Sequence, residues 1–298
     1  MSNRAILLNV PETMGQLHGS IEDQLRESGA QRDQSCVLTY HEILPQPSQY
    51  LYRVTNAQFQ AHLSFLSSGI LKSVSHRPSP FITFDDGHRS NFEQAFPLLE
   101  RFGLKATFFV LAGCIDSSNK YISWDHARQL VAAGHRVESH GWSHRLLTQC
   151  SHVELEEELV RSKRELEDRL GCEVLAVSAP GGRWDDRVVG ACARAGYKYL
   201  FHSNPWLPAE TREGIRLQGR HMVTGRMQPK DVQGLLQTGG ARQLYSRVRY
   251  GAKERVRVVL GDRLYHKFWC WLANWKIGEG LPLEVNAPAN NNRDSKHS

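Results

Sequence analysis

The feature that most constrains this chain is an alternation. Short apolar or β-branched runs recur at CVLTYH (36–41), FITFDDG (81–87), ATFFVLAG (106–113), HRVESHG (135–141), VLAVSAPGG (174–182), YLFHSN (199–204) and RLQGRHMV (216–223). Between them lie segments with helical starts and stops, at 56–68, 90–102, 123–134, 151–171 and 185–196. Ser or Asp opens most of them and a glycine follows the end, the expected asymmetry of helix termini. Ser151, with Glu154 three residues on, forms a capping box. Strand–helix alternation at this spacing predicts parallel βα units in an α/β chain. Seven such strands fit a closed or nearly closed barrel of (β/α)7 type, with a C-terminal helical appendix, better than a short open sheet. The divisions follow: a polar lead-in over 1–34, the barrel over 35–235, a basic amphipathic helical extension over 236–280 and a disordered tail over 281–298. Barrels of this kind gather functional side chains at the C-terminal ends of their strands. Here those ends carry His41, Asp85, Asp86, His140 and the turn after Ala179.

Composition narrows the class. Of 298 residues 40% are hydrophobic and 23% charged, the balance of a soluble globular chain with a sizeable core. The net charge of +6 is compatible with anionic polymers or membrane surfaces without singling out either. Six cysteines with no CxxC pair read as reduced thiols. The N-terminus lacks the apolar core of a signal peptide, and no run approaches the ~18 apolar residues of a membrane span, so the expected location is cytoplasmic. No nucleic-acid-binding motif is present. From 240 to 276, nine Lys/Arg residues face only Glu254 and Asp262, with Tyr, Phe and Trp interleaved. That stretch reads as a solvated helix face beside the barrel, or as a peripheral contact with an anionic membrane.

Two motifs carry chemistry. Asp85 and Asp86 end an apolar strand, and Gly87 permits the turn that lets both reach one cavity. Alone, the pair also fits an Asx-type turn. In SHGWSH (139–144), His140 and His144 stand four apart, on one face if the segment forms a helical turn. With fourteen histidines, such a pair also arises by chance. Together the two motifs offer one carboxylate and two imidazoles to a divalent metal. A second carboxylate is left over to take a proton from an activated water.

TFDDG (83–87) followed by SHGWSH (139–144) resembles the first two motifs of the NodB-like polysaccharide deacetylases, carbohydrate esterase family 4, over residues 36–223. The resemblance implies a distorted βα barrel, with Asp85 as catalytic base and Asp86, His140 and His144 as ligands of one divalent ion, zinc foremost. Later motifs depart from the family. In SAPGGRW (178–184), Pro180 and Gly182 match, but Ser178 stands where the family has an arginine that orients the base. FHSNPWL (201–207) lacks the acid that partners that arginine. The late Leu-x-His is missing, and RLQGRHMV offers Arg220 and His221 instead. LTYHEI (38–43) is similar to the Tyr-His segment of the subgroup that includes biofilm poly-N-acetylglucosamine deacetylases. His41 is therefore expected as the acid that protonates the leaving amine, with His221 second; the alternative for His41 is a core histidine. Backbone N–H groups near Gly181 and Gly182 are expected at the oxyanion. Trp142 and Trp184 either stack on sugar faces or close the barrel top. The implied activity is removal of N-acetyl groups from a sugar or polysaccharide, free or lipid-linked, in exopolysaccharide or cell-envelope synthesis. Rival expectations are an O-acetyl esterase or cyclic amidase on the same scaffold, and a catalytically silent carbohydrate-binding protein.

Overall fold

The computed structural model describes residues 36–68 and 81–236, together with helical residues between 244 and 264. The expected lead-in over 1–34 and the tail over 281–298 lie outside the described residues. The chain opens with β1 (Val37–Tyr40) and a small parallel pair, β2 (Glu42–Leu44) and β3 (Arg53–Thr55). α1 (Asn56–Ser67) follows under a capping box of Thr55 and Gln58. Then come β4 (Phe81–Phe84), α2 (Phe96–Arg101), β5 (Ala106–Val110), α3 (Trp124–Ala132) and β6 (Arg136–Ser139). α4 (His152–Glu156) runs through a π turn over Glu157–Arg161 into α5 (Ser162–Leu170), which Gly171 ends in the left-handed region at φ 66°. After β7 (Ala176–Ser178), α6 (Asp186–Arg194) and β8 (Tyr199–His202), the chain finishes with β9 (Glu210–Arg212), β10 (Ile215–Gly219), β11 (His221–Met222) and α7 (Pro229–Leu236).

The seven expected strands are β1, β4, β5, β6, β7, β8 and β10, neighbours in that order and parallel. The expected final strand over 216–223 is split at Arg220. Its first part pairs with β8, and its second part pairs with β1. One short stretch thus joins the two sides of the sheet. Rolling of the sheet is visible in its inner face. Phe81 on β4 and Phe201 on β8 lie four strands apart, ~19 Å in a flat sheet, yet their ring centroids are 6.0 Å apart.

Alternation sorts the strand residues. Leu38, Tyr40, Ile82, Phe84, Phe108 and Val110 point outward into the main core beneath the helices. There Phe84 stacks on Phe108 at 4.8 Å, and Tyr40 meets Phe59 of α1 edge-on at 5.0 Å. The opposite residues form an inner apolar layer of Val37, Phe81, Phe109, Ala176, Tyr199 and Phe201. Above that layer the same alternation delivers polar side chains, beginning with Thr39 and Thr83, hydrogen-bonded at 2.9 Å. The floor of the site is dry and aromatic, and what stands on it is polar.

Candidate active site

Asp85 follows β4 directly, and its N–H donates to the Tyr40 carbonyl at 3.0 Å, so it continues the β1–β4 ladder by one residue. The residue is buried. Asp86 breaks the strand at φ 72°, and Gly87 follows at φ 64°. A left-handed aspartate is a strained position that surrounding structure must hold. The outcome is that the two carboxylates do not share an environment.

Asp86 turns toward His140 and His144. Its Oδ1 lies 3.3 Å from His140 Nε2 and 3.4 Å from His144 Nε2, and makes no hydrogen bond although the atom is buried. Burial alone would raise the Asp86 pKa; the two imidazoles beside it more than offset this and hold it well below the usual carboxylate range. His140 Nδ1 lies 2.8 Å from the Ser178 carbonyl and donates to it, which leaves the Nε2 lone pair facing Asp86.

The four-residue histidine spacing works differently from the helical turn expected of it. Residues 140–146 form a loop, and His144 adopts φ 68°. Glu158, on the π turn and 4% exposed, holds that loop in shape. Its Oε2 accepts from the N–H groups of Trp142 (2.8 Å) and Ser143 (2.9 Å), and its Oε1 accepts from the Ser143 hydroxyl. Glu158 was not among the expected site residues. Its signal is a carboxylate on the apolar helix face between Leu155 and Ser162, both fully buried.

The three donor atoms lie within 4.8 Å of one another. Carboxylate–imidazole gaps of 3.3 and 3.4 Å are long for hydrogen bonds, but match two ligands on one ion with bonds of ~2.0–2.2 Å. An unpartnered buried oxygen, two oriented imidazoles and a strained backbone all fit a divalent cation. His144 is exposed and Asp86 partly so, which opens the cluster to solvent on one side.

Asp85 turns the other way, to Arg220. Nη1 donates to Oδ1 and Nη2 to Oδ2, both at 2.8 Å, a two-pronged ion pair with side chains 1% and 4% exposed. Arg220 Nη2 also donates to Ser178 Oγ at 2.7 Å, and that hydroxyl donates to Asp85 Oδ2 at 3.2 Å. Burial, the largest influence, would raise the Asp85 pKa, but the charge and hydrogen bonds of Arg220, with His140 and His41 nearby, together more than offset it and keep it lowered. The guanidinium rests on the aromatic floor, 5.3 Å from the Phe109 centroid and 5.8 Å from that of Phe201. Serine at 178 therefore does not leave Asp85 without an arginine. The arginine arrives from the split final strand, and Ser178 makes room for it and bonds to it.

The same alternation corrects the expectation for His221. In β11 it registers with the outward-facing Leu38, so it points away from Arg220 and the inner face. It meets Trp206 edge-on at 5.3 Å, and burial pushes its pKa down to about 4. It does not join the cluster. His41 does: it lies at the end of β1, and the charges acting on it are those of Asp86, Asp85, Arg220 and His140. It is 9% exposed, stacks on Tyr52 at 4.9 Å and leaves Nδ1 without a partner. Burial outweighs the carboxylates and lowers its pKa.

Pro180–Gly182 forms a tight turn after β7, with Gly181 at φ 64°. The Gly182 N–H is committed to the Ala179 carbonyl at 2.7 Å, so the oxyanion role expected of it falls away. A Cβ at Gly182 would meet Ser203 Oγ at 2.2 Å, a packing reason for glycine there. Trp142 and Trp184 each carry a guanidinium over the ring, Arg161 at 3.7 Å and Arg212 at 5.2 Å from the centroid.

Comparison with known proteins agrees with this geometry. Residues 72–200 match the family model of the polysaccharide deacetylases. YxkH of Bacillus subtilis, named as a polysaccharide deacetylase, is 26% identical over 57% of this chain and 64% of its own. The chitooligosaccharide deacetylase of Sinorhizobium fredii is 31% identical over 42% of this chain and 57% of its own. The chain thus spans under two thirds of the length of either relative. Among solved structures, the Streptococcus pyogenes deacetylase PplD in complex with acetate superimposes with a TM-score of 0.60 at 22% identity, over 68% of this chain and 98% of that one. This likeness shows a shared fold. Residues 72–200 are thus similar to a polysaccharide deacetylase domain, within a fold shared with solved deacetylases.

Proposed function

We propose that this chain is a metal-dependent hydrolase that removes N-acetyl groups from an N-acetylated sugar or polysaccharide. One observation carries the reading: two adjacent carboxylates have different partners, Asp86 the imidazoles and Asp85 the arginine. Asp86, His140 and His144 would hold a divalent ion, zinc foremost for this donor set, which would polarise the acetamide carbonyl and lower the pKa of a water. Asp85, ionised and aimed by Arg220 and Ser178, takes the proton from the attacking water; its oxygens keep lone pairs beyond those the arginine uses. A C–O bond forms, the C–N bond breaks, and the products are acetate and a free amine. His41 supplies the proton to the departing nitrogen. Its resting state is biased toward neutral, so it must be protonated before that step, beside the two carboxylates. Gly181 remains the backbone candidate for the oxyanion. Trp142 and Trp184 offer a sugar only the ring face not already covered by arginine.

The strongest argument for a silent binding protein is serine at 178, and Arg220 supplies the partner that serine lacks. The substrate class follows the relatives named for chitooligosaccharides and polysaccharides. A lipid-linked glycan met at a membrane surface through segment 240–276 belongs to the same reading, as does a place in exopolysaccharide synthesis. The test is acetate release, with mass spectrometry of the sugar, from chitooligosaccharides and from an O-acetylated sugar. Loss of acetyl from nitrogen supports the reading. Loss from oxygen alone indicates an esterase, and no loss from either, in protein that holds metal, indicates a binding protein.

A further inference from the structure

The described residues between Leu244 and Leu264 are helical, Gly261 among them having φ 70°. Leu244, Val248 and Val259 are 65%, 63% and 83% exposed. At 3.6 residues per turn they fall within roughly 60° of one another on the helix surface. On the same geometry Arg255 falls inside that stripe, with Val256 beyond one edge and Arg247 beyond the other, all exposed. A helix face this apolar requires a cover. Charge indicates which cover. Segment 240–276 carries +7, so the remainder of the chain sums to −1. Two copies meeting through such segments would repel, whereas anionic headgroups would neutralise the arginines as the apolar side chains enter the acyl boundary.

Position adds the rest. The Arg247 guanidinium lies 5.4 Å from the Trp206 ring centroid, in the loop after β8. Leu260, Gly261 and Leu264 line a cavity of about 610 Å³ with Gln149, Ser151 and Arg187. Gln149 and Ser151 belong to the segment that follows the His140–His144 loop. Both contact points rise from C-terminal strand ends, the end of the sheet that carries Asp85 and Asp86. The helix therefore leans on the rim of the catalytic mouth.

We propose that the face bearing Leu244, Val248 and Val259 docks on an anionic lipid bilayer and holds the catalytic mouth at that surface. The docking stands on the helix itself; only its purpose rests on the deacetylase reading. The experiment is sedimentation of the full chain with vesicles of phosphatidylcholine, alone or mixed with phosphatidylglycerol. Binding is expected to the mixed vesicles, to weaken with salt, and to fall roughly tenfold or more in Val248→Asp/Val259→Asp. Both side chains are mostly exposed, so thermal melting of that variant is expected to match the parent. Equal binding to neutral vesicles, no binding, or binding that survives the double substitution overturns the proposal. So does a concentration-dependent dimer that the same substitutions abolish, since a second copy would then cover the face. Acetate release from soluble chitooligosaccharides, measured on the same protein, separates the two claims. Docking without acetate release defeats the deacetylase reading alone, and acetate release without docking defeats this proposal alone.

Discussion

At the scale of single residues, Asp85 illustrates how an ionised carboxylate is kept inside an apolar shell. Its desolvation is offset by a guanidinium that bonds both oxygens and is itself enclosed by Phe109 and Phe201. Removing one partner of such a pair strands the other charge, at a cost of ~3–5 kcal/mol. Arg220→Ala is therefore expected to lower the melting temperature sharply as well as to stop turnover. Arg220→Lys separates the two effects, since it keeps the charge and loses the fork. Its expected outcome is a folded protein with kcat down about 10²-fold and KM little changed, read by steady-state kinetics. A normal kcat in Arg220→Lys would show that the fork does not aim the base. The acids and histidines were legible in the sequence because polar residues ending apolar strands announce themselves. Arg220 was not, because its partner lies 135 residues away. The alternation of RLQGRHMV does hold the answer: if one residue of the Arg220–His221 pair faces inward, the other faces out.

At the scale of elements, the loop that carries His140 and His144 is held in shape from a neighbouring helical segment. Glu158 receives three hydrogen bonds from residues 142–143 and so fixes the backbone that carries His140 and His144. Glu158→Gln keeps the size but loses the charge and an acceptor. Metal affinity is expected to fall ~10–100-fold, measured by titration of metal into stripped protein. An unchanged affinity would assign Glu158 to packing only. Helix positions and strand order were readable from caps, glycine stops and apolar runs, which act locally. The loop form of SHGWSH was not, because histidines four apart satisfy a helical turn as well as a loop, and only the buried carboxylate decides. The short β2–β3 pair and the antiparallel β9 also escaped, being three residues each with no period to read.

At the scale of the whole molecule, folding buries histidines that must stay neutral. His135 and His221 have pKa values pushed down to about 4, and His202 to about 3, by burial, with the Arg220 charge added at His202. An unfolded chain protonates these groups near pH 6.5, so between 6.5 and about 4 it binds more protons than the native state. Stability should fall with acidification across that window, by about 1.4 kcal/mol per pH unit for each histidine, the contributions of His135 and His221 ending near pH 4 and that of His202 near pH 3. Urea unfolding at a series of pH values checks the slope. No helix among the described residues is long and apolar enough to cross a membrane. The central claim, that adjacent carboxylates divide holding a metal from moving a proton, is tested most directly by one paired measurement. Metal content and acetate release are determined side by side for Asp85→Asn and Asp86→Asn. The account predicts that Asp85→Asn keeps its metal and loses turnover, while Asp86→Asn loses both. Near-normal turnover in Asp85→Asn, or full metal retention in Asp86→Asn, would contradict it.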